Sequence, residues 1–188
     1  MALMSLSKPQ QSQLLKLARE SIAQGLKTGK PLKIHPDDYP AELAEPRATF
    51  VTLERGQQLR GCIGMLEAVR PLAEDVAENA FAAAFCDRRF LPLADHELAD
   101  LELHISVLSP PEEMNFSSEQ DLLEQLRPKI DGLILEEGRQ RATFLPSVWE
   151  SLPTAVQFLQ HLKQKAGLPA KYWSDTIKAY RYTAEYIG

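Results

Sequence analysis

The sequence predicts an α+β fold: a largely antiparallel sheet with flanking helices. Three observations lead there. Residues 101–108, "LELHISVL", alternate Leu101, Leu103, Ile105 and Val107 against Glu102, His104 and Ser106, the period of a half-buried strand. Two further β-rich segments, 49–65 and 131–145, each fold back at a glycine-containing turn. Three segments carry apolar residues at helical spacing, and strands joined by hairpins rather than by strict βαβ alternation give an antiparallel sheet.

In chain order, Leu14, Leu15, Leu17, Ala18, Ile22 and Leu26 place an amphipathic helix over 10–26, with Gly25 and Gly29 as stop signals. The next stretch holds Pro31, Pro36, Pro40 and Pro46 and is read as extended or loop. "ATFVTLERGQQLRGCIGM" is a hairpin turning at Arg55-Gly56-Gln57-Gln58. Pro71 suits the first turn of a helix over 71–86, whose alanines permit close packing and whose end places Cys86 in the core. After the 101–108 strand, Ser117 or Ser118 caps a short helix through Leu126, and a second hairpin turns at Glu137-Gly138. A helix over 153–165 has Lys163 and Lys165 in its last turn and Gly167 beyond it; "TIKAYRYTAEYI" is a terminal strand.

Composition narrows the function classes. The 188 residues, 44% hydrophobic and 25% charged, suit one soluble globular domain with a real core. A formal net charge of -5 argues against a nucleic-acid backbone as the main partner. The longest apolar run, Ala80–Cys86, is far short of the roughly 20 residues a membrane helix requires. Only Cys62 and Cys86 are cysteines, so no disulfide framework exists; free thiols point to the cytoplasm. His35, His96, His104 and His161 show no paired metal spacing, and no phosphate-cradling or dinucleotide-binding glycine pattern occurs. No metal or cofactor is therefore expected.

The stretch "LRGCIG" is where chemistry is concentrated. In a regular strand Leu59, Gly61, Ile63 and Met65 share one face, and Arg60, Cys62 and Gly64 share the other. A guanidinium beside Cys62 would favour its thiolate, making Cys62 a candidate nucleophile and Arg60 its activator. Gly61 and Gly64 clear space for a ligand or another main chain. The alternative is structural: a small buried thiol, glycines marking a β-bulge, and Arg60 paired with an acid. His104 is either solvated or a base reaching Cys62. Asp87 and Arg89, in "CDRRF", either lock a loop by pairing or hold an anion.

Taken together, "FVTLERGQQLRGCIG", "NAFAAAFCDRRFLPL", "ISVLSP", "DGLIL", "TFLPSVWE" and "FLQHLKQKAGLP" followed by Trp173 resemble the AMMECR family, whose prokaryotic members are called AmmeMemoRadiSam system protein A. The resemblance runs from about residue 10 to the C-terminus, so residues 10–188 form a single domain of this type and residues 1–9 an N-terminal extension. It implies one α+β domain in two subdomains. It also implies association with a Memo-like protein and a radical-SAM enzyme, in an accessory or binding role of no established activity. The family motif falls on Arg60, Gly61, Cys62, Gly64, Asp87, Arg89 and Phe90. Two positions depart from it: Arg88 replaces the usual proline of D-P-R-F, and His104 stands where an acid is more usual.

Overall fold

The first helix starts where the sequence supplies a cap. In the computed structural model, which describes residues 5–188, Ser7 and Gln10 form a reciprocal capping box and α1 runs Lys8–Thr28. It ends at Gly29, whose φ of 72° is strain-free only without a Cβ. Gly25, read from the sequence as a stop, lies inside the helix instead. The rings of Phe81 and Phe85 fill the space that a Cβ at Gly25 would need.

The proline-rich stretch yields a single 3-10 turn at Pro36–Asp38 and one short α-helix, α2 (Ala41–Ala44), and then the first hairpin, β1 (Thr49–Arg55) and β2 (Gln58–Gly64). Its two-residue turn holds Gly56 and Gln57 at φ 54° and 65°, the positive pair a type I′ turn requires. Helix α3 (Leu72–Phe85) follows Pro71, and strand β3 (Glu102–Leu108) pairs antiparallel with β1. The period-two expectation for β3 holds over its first half: Leu103, Ile105 and Val107 are buried, Glu102 is exposed and His104 half-buried, but Ser106, expected on the outer face, is buried too.

Beyond Leu108 come β4 (Glu112–Glu113), α4 (Glu119–Gln125), β5 (Gly132–Glu137), β6 (Gln140–Phe144), α5 (Ala155–Lys165) and β7 (Lys178–Tyr182). The expected single terminal strand is two. At Thr183 the backbone turns to exchange hydrogen bonds with Ser109, and β8 (Ala184–Ile187) then joins the other sheet.

The chain thus forms two compact units, one comprising the chain through Leu108 with Glu185–Gly188, the other Ser109–Ala184. In the first, the sheet order is β2-β1-β3-β8, and Leu14, Ile22, Val51, Leu53, Val76 and Ile105 are wholly buried between it and the helices. Each such side chain stabilises the fold by about 1.5–3 kcal/mol. Asp75 on α3 is also buried; it accepts hydrogen bonds from Thr49, Arg70 and Asn79 and so fastens the helix to β1.

In the second unit, the order is β4-β7-β5-β6, and Trp149 stacks on Phe158 at 4.0 Å within the core. Lys163 differs from its expected role as a helix-end cation. It is fully buried, 2.7 Å from Glu119 and beneath the Trp173 ring. No helix among the described residues is long and apolar enough to cross a membrane.

Candidate functional site

Strand β2 is an edge of the first sheet, and its register with β1 decides what the hexapeptide presents. Leu53 faces Gly61 but Glu54 faces Leu59, so Arg60 is the extra residue of a β-bulge. The bulge breaks the parity expected from sequence. Leu59 lies opposite Glu54, on the face away from Gly61, and Arg60 no longer stands beside Cys62. Its guanidinium instead reaches Glu97 at 3.0 Å and the Leu91 carbonyl at 2.9 Å. Glu97 also takes Arg55, which belongs to the opposite face of β1 from Thr52. Two arginines and the Ala94 N–H thereby hold the Glu97 carboxyl down to about 2, the hydrogen bonds from Arg60 contributing most.

Both glycines serve the chain's own packing. A Cβ at Gly61 would meet the Ala83 carbonyl of α3, and one at Gly64 would meet the Phe50 ring and the Thr49 carbonyl. The main chain that approaches Gly61 is therefore that of α3. Gly64 is covered by its cross-strand partner.

Cys62 is half-buried, with Sγ 3.2 Å from the Thr52 hydroxyl directly across the hairpin. Thr52 is also the partner of His104 on its other side, so the three residues form a row across β2, β1 and β3. Cys62 and His104 are thus two strand spacings apart, roughly 9–10 Å along the sheet. The thiol–imidazole dyad, one of the two readings of His104 from sequence, is not formed. Thr52 stands between them, and His104 Nε2 lies 3.5 Å from Glu54.

Because β2 is an edge, the Cys62 N–H points away from β1, and it finds Asp87 Oδ2 at 3.0 Å. Asp87, 7% exposed, also accepts three hydrogen bonds from Arg89, two from its side chain and one from its backbone. The Arg89 side chain, ahead of the backbone N–H groups of Cys62 and Arg89, holds the Asp87 carboxyl well below the usual carboxylate range. The Phe90 N–H bonds the Asp87 carbonyl and the Leu93 N–H bonds Ala84, so the segment after α3 is fixed although Arg88 replaces a stiffening proline. Phe90 sits between two guanidinium groups, Arg60 at 5.9 Å and Arg89 at 5.5 Å from its ring centre.

Arg89 reaches the Cys62 backbone only through Asp87, which accepts from both. Leu91, beyond Phe90, is 83% exposed. Cys86, expected in the core, is exposed: α3 ends at Phe85, and Cys86 follows as its C-cap, past the buried Ala83 and Ala84. Next to the bulge, Arg55, Gly56, Gln58, Leu59, Arg60 and Asp100 line an open depression of about 360 Å³. The sequence reading brought out Arg60, Gly61, Cys62, Gly64, Asp87 and Arg89, which meet around β2. It missed Thr52 and Glu97, whose roles depend on strand register.

The sequence profile of the AMMECR1 family matches residues 15–187. A protein from Methanothermobacter thermautotrophicus is 39% identical over 186 residues, covering 96% of this chain and 94% of the relative. One from Thermotoga maritima is 41% identical over 156 residues, covering 81% of this chain and 84% of the relative. The crystal structure of an uncharacterized Pyrococcus horikoshii protein is similar with a TM-score of 0.83 at 37% identity, covering 92% of this chain and 88% of that one.

Proposed function

The chain belongs to the AMMECR1 family, and on that footing we propose that it is an accessory binding component working with a Memo-like protein and a radical-SAM enzyme, its contact surface built from β2 and residues 86–91. One observation carries this reading. Asp87, the Arg89 side chain and the Cys62 N–H are committed to one another, while the side chain of Leu91 is left to solvent and Arg88 and Arg89 are exposed. A locked loop that exposes an aliphatic anchor beside arginines has the make-up of a protein-contact patch.

The test is calorimetric titration of the purified chain with a Memo-like protein and with a radical-SAM enzyme. Leu91→Ser and Arg89→Ala weaken binding at least tenfold; affinities unchanged in both variants would overturn the proposal.

A second reading makes the chain an enzyme with Cys62 as nucleophile or thiol carrier. It is favoured by the half-buried thiol at the sheet edge, beside the Asp87–Arg89 pair that holds its backbone N–H. It lacks a base: the polar side chain touching the thiol is the Thr52 hydroxyl. Iodoacetamide labelling at pH 8 separates the two. The binding reading expects the exposed Cys86 to react first, whereas a Cys62 that outpaces Cys86 would support the enzyme.

A further inference from the structure

The face of the first sheet turned away from α1 and α3 carries a second cluster that the surface around residues 86–91 does not use. Glu54 on β1 stands directly opposite Glu102 on β3, and His104, two residues along β3, stands opposite Thr52. Period-two alternation puts all three side chains on the same side of the sheet. One donor atom from each lies within 4.8 Å of the other two, and His104 Nε2 is 3.5 Å from Glu54 Oε2.

Two carboxylates directly opposed on antiparallel strands repel each other and are ordinarily relieved by a lysine or arginine. None does so here. The adjacent Arg55 is on the other face of β1 and is committed to Asp100 and Glu97. Among the described residues no lysine or arginine forms a salt bridge with either Glu54 or Glu102. Among the described residues, the basic group that pairs with either is the His104 imidazole, 3.5 Å from Glu54.

We infer that Glu54, Glu102 and His104 form a divalent-metal site of the zinc type. Two carboxylates match the double positive charge of the ion and lose their mutual repulsion when it binds. The imidazole selects a first-row transition ion such as zinc over magnesium or calcium, which prefer all-oxygen shells. With metal–ligand bonds of about 2.1 Å, neighbouring donors in a tetrahedral or octahedral shell lie roughly 3–3.5 Å apart. The donors lie within 4.8 Å of one another, and Glu102 is exposed while Glu54 and His104 are half-buried.

Three protein donors leave at least one position open, as in sites that bind an exchangeable water or ligand rather than in closed structural sites. The Thr52–Cys62 pair extends along the same face from His104, so the open position and the thiol share one side of the sheet. Linear spacing gave no hint of this set, because only the pairing of β1 with β3 brings residue 54 to residues 102 and 104. The site stands or falls independently of the partner surface.

The experiment is calorimetric titration of chelator-stripped full-length protein with Zn²⁺, with metal content measured after dialysis. One Zn²⁺ per chain is expected, undisplaced by Mg²⁺ at the same concentration. His104→Ala, Glu54→Gln and Glu102→Gln each weaken binding at least tenfold, while Cys62→Ser and Cys86→Ser leave it unchanged. Melting curves in chelator check that the variants fold, and the rise in Tm that Zn²⁺ gives the parent chain is lost in them. Absence of stoichiometric Zn²⁺, binding that survives the His104 and glutamate variants, or binding lost in a cysteine variant would each overturn the proposal.

Discussion

The first hairpin, β1–β2, and the second, β5–β6, both turn through two residues at a glycine of positive φ, and both set a strand glycine against another part of the fold. They differ in what is left over. In the second, Gly132, Leu133, Ile134 and Leu135 are all buried, and the preceding Asp131 is wholly buried against Arg127. The Trp149 indole N–H donates to the Asp131 carbonyl at 2.7 Å, and Thr143 bonds both Leu133 and Tyr182. "DGLIL" is therefore accounted for by packing. "LRGCIG" is packed where Gly61 meets α3 and where Gly64 is covered by Phe50. Its bulge and its edge position leave Cys62 half-buried, Leu59 exposed and, beside them, Arg88 and Arg89 at the surface.

If the second hairpin is purely structural, breaking its core does the greatest harm. Trp149→Ala removes a side chain 1% exposed and stacked on Phe158, and is expected to destabilise by about 3–5 kcal/mol in urea unfolding.

The two strand glycines sharpen the comparison. Gly61→Ala drives a Cβ into a main-chain carbonyl that cannot rotate away, which costs about 3 kcal/mol, the upper end for overpacking. Gly132→Ala meets the Tyr182 ring at 2.5 Å, a side chain rather than main chain, and costs about 1–2 kcal/mol by the same measurement. Equal losses would contradict the distinction.

A smaller effect tests the ion network of the first hairpin. Glu97 titrates at about 2 in the folded chain and near 4.3 when unfolded. A depressed carboxyl pKa stabilises the fold above the unfolded value, and that stabilisation is lost as pH falls from about 4.3 towards 2. Glu97→Gln therefore flattens the acid limb of a stability-versus-pH curve over that window. At neutral pH it lowers stability by roughly 1 kcal/mol, since Arg55 remains partly solvated.

Helices and strands were legible wherever local chemistry sets them: the Ser118 cap, the 3.6-residue period of α1, the alternation of β3. Features that depend on tertiary pairing were not. The bulge at Arg60 follows from register with β1, and it redirects an arginine that sequence parity had placed beside the thiol. Lys163 is buried because Glu119 on another helix receives it. Cys86 is exposed because α3 ends one residue earlier than the apolar run. Around the candidate surface the residues were identifiable by type, but their partners were not: Glu97 and Thr52 reach Arg60 and Cys62 only through the folded chain.

The binding reading is tested most directly by the affinity of Cys62→Ser for a Memo-like protein or radical-SAM enzyme that binds the parent chain. The serine keeps the backbone N–H that Asp87 accepts, so the loop stays in place and the affinity should be unchanged. Loss of binding with the fold intact would contradict the claim that this surface works by contact rather than through its thiol.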